Sequence, residues 1–424
     1  MVVVIRYIWN HLNIGTTMQL NIILLVAGLL GGVSASAQLP PVPVPPENPI
    51  TEAKRVLGKI LFWDEQLSSN DTVACGTCHR PAAGGGDPRV GRFRGADERT
   101  VDDVWGSPGV VAMNEAGEPV EHPQFGREPQ VTDRIAPSYF GALWADEQFW
   151  DGRARSEFVD PLSGDVVIES GGSLESQSLQ PLINPVEMTH PGRSWDELTD
   201  KLAGAIPLGL ASNLPPDVAI AIDASPDYPS LFERAFNDPE ITPVRIAFAI
   251  ATYERTLVAD QTPWDRYMAG DESALSERLV YSWRLFERQK CVNCHEPPLF
   301  TNNDFLNIGV RRIEFDPGRQ IVTGDEEDAG EMKVPSLRNA ALRERFMHTG
   351  EFSRLPATIL FYNNGLALPG RDDIPNGGVY AFAINGSDDY DLAAFLRDAL
   401  VDPRVANEIF PFDRPTLHSE RLPE

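Results

Sequence analysis

The sequence reads as a mainly α protein in two halves, each closed around a bound group rather than around a sheet. Three observations lead there. Apolar residues recur at helical spacing in several separated stretches, the segments between them are Gly- and Pro-rich, and each half carries one Cys-x-x-Cys-His. A sheet core needs runs of alternating or continuous apolar residues, and the long connecting segments do not supply them.

The helical stretches are Glu52 to Phe62, Val244 to Leu257, Leu275 to Phe286 and Tyr390 to Leu400. Thr242-Pro243 offers an N-cap and a first-turn proline to the second, and Ser387-Asp-Asp opens the last. Residues 81–129 and 158–172 are too polar and broken to make a sheet core. Bound groups must therefore fill much of the interior.

Cys75-Gly-Thr-Cys78-His79 and Cys291-Val-Asn-Cys294-His295 use all four cysteines of the chain. Two thiols at this spacing can each form a thioether to a haem vinyl group, and the following imidazole reaches the iron. A redox dithiol, half a zinc site or a disulfide would also explain Cys-x-x-Cys, but none requires His directly after both pairs. The reading is two covalently bound c-type haems, attached through Cys75, Cys78, Cys291 and Cys294, with His79 and His295 as proximal ligands. The fold class is then two cytochrome-c-like haem domains with long irregular loops.

The N-terminal residues agree with export, where such haems are attached. Leu20 to Leu30 is an apolar core after Arg6, and Ala35-Ser-Ala37 is a small-residue cleavage site. The run is well short of the ~20 residues that a spanning helix needs, so residues 1–37 read as a signal peptide, with Met1 or Met18 as the start. The expected organisation is a Pro-rich linker over 38–48, an extended spacer rather than packed structure, an N-terminal haem domain over 49–238 and a C-terminal one over 239–424. The expected location is the periplasm, with no membrane span in the mature chain.

Acidic residues outnumber basic ones 62 to 36, a formal charge of −26. This balance excludes nucleic acid and anionic membrane as natural partners. It suits steering of a basic redox donor, and equally a plain solvated surface.

Between Ile50 and Asp402 the two haem motifs are set among ordered blocks: Leu57-Gly-Lys-Ile-Leu-Phe-Trp-Asp64, Phe149-Trp-Asp-Gly-Arg-Ala154, Gln177 through Glu187-Met188, Val334-Pro-Ser-Leu-Arg-Asn-Ala340 and His348-Thr-Gly350. In these the chain resembles the bacterial dihaem cytochrome c peroxidases and their relative MauG, which matures a tryptophan-derived quinone cofactor in another protein. It implies that the N-terminal haem reacts with hydrogen peroxide and that the C-terminal haem relays or stores oxidising equivalents. By the same resemblance Glu187 is the acid/base group, Gln177 the polar partner of the leaving oxygen, and Trp150 the aromatic lying between the haems.

Departures from the family pattern refine that picture. Peroxidase members place a second His on the N-terminal haem soon after the motif; residues 80–95 contain none, and His122, the next one, sits in what reads as an inserted loop. The N-terminal iron is expected to be open. For the C-terminal haem those members use Met fourteen residues after the His of His-x-Gly; from His348 that position is Tyr362, resembling MauG, where Tyr is the ligand. A phenolate stabilises ferric iron where Met favours ferrous; the alternative role for Tyr362 is packing on a helix face. MauG carries a Trp two residues before its second motif, where this chain has Gln289. The family's calcium ion, held by Asn and backbone carbonyls, is disfavoured because Ile135 stands in place of the Asn and Arg343 and Arg345 fall at the carbonyl positions.

The expected function is peroxide reduction with electrons from a small periplasmic cytochrome c or cupredoxin. The alternatives are a MauG-like oxidase acting on a protein or organic substrate through high-valent haem, and a non-catalytic dihaem cytochrome for electron transfer or peroxide sensing.

Overall fold

The computed structural model describes residues 38–93, 104–363 and 384–421; the expected signal peptide lies outside them. The first apolar core forms on α1 (Glu52–Trp63), α2 (Ser173–Leu179) and α3 (Pro243–Glu254). Thr51 Oγ1 starts α1 by accepting from Lys54 N at 3.3 Å, and Thr242 Oγ1 starts α3 by accepting from Arg245 N at 3.2 Å. α1 and α3 lie in direct contact because Gly58 faces the small side of α3: a Cβ on Gly58 would stand 1.9 Å from the Ala249 carbonyl oxygen. Ala247, Ala249 and Ala251 on that side are fully buried.

The second core is formed by α4 (Glu277–Arg288), α5 (Leu355–Asn363) and α6 (Asp388–Asp398). Trp264, Phe286, Phe300 and Phe395 pack at its centre, with ring centroids 4.9–6.1 Å apart where they meet. α4 begins at Glu277, after Ser276 as N-cap, rather than at Leu275. Ser387 stands at the N-cap of α6, but its side chain makes no capping bond.

α3 lies beyond residues 238 and 239, where the sequence places a boundary, and packs in the first core, because Gly58 and the alanines let it seat on α1. The chain enters the second core at Trp264, and the tail then returns to bury Val405, Phe412 and Leu417 in the first. The halves are interleaved.

The Pro-rich segment forms neither helix nor strand, turns at residues 46–47, and is bound along the body. Trp144 Nε1 donates to the carbonyls of Pro40 and Pro41 at 3.1 and 3.2 Å, and Arg255 Nε to that of Pro43 at 3.1 Å. Proline has no backbone N–H to donate, but its carbonyl still accepts.

The described strands make four separate two-stranded antiparallel pairs. Three fall inside the irregular stretches: Gly91–Phe93 with Val104–Gly106, Pro108–Val111 with Pro129–Val131, and Phe158–Val159 with Val166–Ile168. Each is too short to bury a sheet face. No helix among the described residues is long and apolar enough to cross a membrane.

Gly58→Ala should lower stability by about 1–3 kcal/mol or more through overpacking of α1 against α3. A fall in thermal midpoint of the purified protein measures this, and an unchanged midpoint would mean the helix pair can separate without cost.

Candidate active site

The first haem motif folds as one helical turn, Cys75–Cys78, capped by His79. His79 Nδ1 lies 3.1 Å from the Gly85 carbonyl oxygen. A carbonyl only accepts, so Nδ1 carries the hydrogen and Nε2 keeps its lone pair. Burial pushes this imidazole below its ordinary range, toward the neutral, ligating form.

Cys75, Cys78 and His79 open on a shared cavity. Trp150, Gln177 and Glu187 line the same cavity, so the structure brings these sequence-predicted residues together. Gln177 projects from α2. Glu187, held just beyond it, accepts from Asn184 Nδ2 at 3.2 Å. Burial raises the Glu187 carboxyl above its ordinary range; the nearby Arg153 charge opposes this and Asp133 adds to it.

His79 is the only histidine lining this cavity among the described residues. His122 lies elsewhere. Its Nδ1 accepts from the backbone N–H groups of Gln124 and Phe125 at 3.1 and 3.3 Å, and its ring stacks on Phe125 at 5.0 Å. It closes a tight turn.

The second motif repeats the arrangement. His295 Nδ1 lies 3.2 Å from the Phe300 carbonyl oxygen and 3.1 Å from that of Pro335, again leaving Nε2 open. Burial pushes His295 down to about 4. Cys291, Cys294 and His295 face a larger cavity of about 1470 Å³. Tyr362, on α5, lines it, and so do Met332, Met347 and His348. Burial raises the Tyr362 phenol above its ordinary range, and the Cys291 and Cys294 thiols add to that.

Both cavities share one wall residue, Trp150. Its Nε1 donates to the Ile135 carbonyl at 2.8 Å, its own carbonyl accepts from Lys333 N at 2.8 Å, and its ring lies 6.2 Å from that of His348. Arg134 ties the halves beside it, bonding Asp316 at 2.6 and 2.9 Å and Asp151 at 2.6 Å. Phe149 and Met347, just before Trp150 and His348, have φ of 67° and 64°. Such strain in non-glycine residues persists only where packing over-determines it.

Ile135 and the two arginines of the expected calcium position meet here as well. Arg343 Nη2 donates to the Ala136 carbonyl at 2.8 Å and Nε to that of Arg345 at 3.3 Å. Burial lowers the Arg343 guanidinium to about 10, against the opposing charge of Asp87. Gln289 caps the C-terminus of α4.

Sequence reasoning missed Glu254, whose buried carboxyl lines the first cavity, and the Arg134–Asp316 tie. Glu254 left one signal: it stands four residues after Ile250 on the apolar side of α3, and both reach the cavity.

Paired thiols beside an open imidazole nitrogen, in roomy cavities, fit covalent haem, and a shared aromatic wall defines a two-centre redox protein. The family model for di-haem cytochrome c peroxidase matches residues 52–273, and the chain belongs to that family of peroxidase-like oxidoreductases. Cytochrome c peroxidase Ccp of Escherichia coli (strain K12) is 28% identical over 354 residues, 81% of this chain but only 60% of that protein. Methylamine utilization protein MauG of Paracoccus denitrificans (strain Pd 1222) is 32% identical over 345 residues, 74% of this chain and 76% of that one. In fold the chain is similar to a MauG-like protein associated with microbial copper homeostasis, with a TM-score of 0.60 at 23% identity, covering 88% of this chain and 96% of the other.

A pyridine haemochrome assay should find two haems per chain that acid solvent does not extract. Replacing Cys291 and Cys294 together by Ala should leave one. Two extractable haems, or none, would overturn the attachment chemistry.

Proposed function

We propose that this chain is a periplasmic dihaem peroxidase that reduces hydrogen peroxide in the first cavity, using electrons from a small cytochrome c or cupredoxin. The second cavity receives those electrons and Trp150 carries them across. One observation carries this reading: Glu187 and Gln177 line the cavity of His79, and Trp150 lines that cavity and the next.

Haem bound by His79 would supply the redox chemistry on peroxide. The side chains supply the rest. Glu187, ionised, takes the proton from the nearer peroxide oxygen and delivers it to the farther one, which leaves as water. The Gln177 amide donates to that leaving oxygen, and Asn184 fixes the Glu187 carboxylate through its 3.2 Å bond. The signal peptide at 1–37 supports the periplasmic assignment. Arg343 supports the reading without calcium, because its guanidinium occupies the carbonyls of Ala136 and Arg345.

Glu187→Gln should lower kcat/KM for peroxide by about 10²–10⁴-fold with both haems retained. In the wild type, kcat/KM should rise with pH through a Glu187 pKa that burial has raised, because the base must be ionised. A Glu187→Gln enzyme with wild-type turnover would remove Glu187 from the mechanism.

Tyr362 supports a second reading, a MauG-like oxidase of a protein or organic substrate, because a phenol in the second cavity offers a ligand that favours oxidised iron. Tyr362→Phe should change the low-spin electron paramagnetic resonance signal of the second haem without loss of attachment. An unchanged signal would point to Met332 or Met347, which line the same cavity, and to the peroxidase alone.

A further inference from the structure

The first cavity contains a second carboxyl group that the peroxide chemistry does not use. Glu254 ends α3, is 7% exposed and lines the cavity wall together with Cys75 and His79. Its Oε2 is shut off from solvent and has no hydrogen-bond partner among the described residues. A buried carboxylate in that condition is costly, so the group stays protonated until a positive charge appears nearby.

The surrounding charges do not neutralise it. On its own helix, Arg255 is committed to Glu175 of α2, at 2.6 and 2.9 Å. Tyr253 accepts from Trp63 Nε1 of α1 at 3.2 Å. Across the cavity, Arg134 is held by Asp151 and Asp316, Arg153 bonds Asp151 at 3.1 Å, and Glu187 and Asp133 add only negative character. The Cys75 sulfur and the Tyr139 phenol are the remaining titratable groups that feel Glu254, and neither is a cation. Arg255 acts on Glu254 only through space, and the one positive charge that changes with redox state is that of the centre bound in the cavity.

We infer that Glu254 is the redox-linked proton site of the first centre: its carboxyl takes a proton from solvent when the haem iron there gains an electron, and releases it when the electron leaves. The inference rests on haem occupying the cavity. One electron and one proton enter together, the iron passes from ferric to ferrous, the carboxylate becomes a carboxylic acid, and no other bond changes. Burial places this carboxyl at about 8, Glu175 reinforcing and Arg255 opposing, so the exchange falls near neutral pH. The site keeps the charge of a water-poor cavity constant while electrons arrive. It also delivers a proton beside the place where peroxide consumes them.

Spectroelectrochemical titration of the holoprotein tests this by following each haem's midpoint potential against pH. In the wild type the first haem's reduction equilibrium should weaken by up to tenfold per pH unit around pH 8, about 59 mV for a one-electron couple. Glu254→Gln should flatten that slope, Glu187→Gln should keep it, and the second haem should be unaffected by either. A wild type without a slope, or a Glu254→Gln protein that keeps it, overturns the proposal. Should Glu254→Gln fail to fold, infrared difference spectra of the wild type decide: reduction of the first haem must create a protonated carboxyl band, and its absence overturns the assignment. Two haems by pyridine haemochrome in every sample separate failure of this proposal from failure of the peroxidase reading.

Discussion

The fold depends on two imidazoles being turned the same way. His79 and His295 each direct Nδ1 to backbone carbonyls, of Gly85 in one case and of Phe300 and Pro335 in the other, and so each must present Nε2 to a cavity. Those carbonyls sit on loops. The irregular segments therefore carry the most exacting geometry in the molecule, while the helices supply walls. Gly84 and Gly85, at φ of 65° and 73°, let the first loop fold back over its histidine. A side chain there would strain the backbone that fixes the imidazole.

Interiors that leave room for large groups cannot be closed by apolar packing alone, and the seam between the halves shows how the closure is made. Arg134 joins Asp151 of the first half to Asp316 of the second, with all three side chains largely buried. Buried ion pairs contribute little net stability, since desolvation offsets their attraction, but a fully satisfied set fixes register. That register holds Trp150, whose indole donates to Ile135 while its carbonyl accepts from Lys333 of the other half. The strained Phe149 and Met347 lie directly beside this joint. Their conformations are held by packing on both sides, and the distance between the two cavities is set with them.

The helices were legible in the sequence because their periodicity and caps are local properties: α1 starts at Glu52 as its spacing predicts, and α3 starts directly after its Thr242 cap. The haem-attachment residues were legible because covalent chemistry fixes their spacing. Gln177, Glu187 and Trp150 became visible only through resemblance, since nothing local distinguishes a cavity carboxyl from a solvated one. The seating of α3 on α1 was hidden for a related reason: the pairing of Gly58 with Ala249 spans the chain, and no window of sequence contains it. The seating of the Pro-rich segment was hidden for the same reason, since its carbonyls accept from Trp144 and Arg255, donors far along the chain.

The two cavities differ in the character of their walls, and the proposed division of work follows that difference. The first gathers Asp133, Arg134, Arg153, Glu187 and Glu254 around its thiols and imidazole, groups that hold or move protons. The second is walled largely by apolar side chains such as Leu306, Ile308, Leu337, Ile359, Leu392 and Leu396; Lys290, Lys333, Arg343 and His348 also line it, but among the described residues no carboxyl does. Breaking peroxide to water consumes protons as well as electrons, so it belongs where carboxyls are at hand. Storing or passing an electron is best done where charge is poorly solvated and few groups reorganise. On the proposed function the carboxyl-free second cavity provides that setting, and Trp150, common to both walls, is the path for electrons between the two sites.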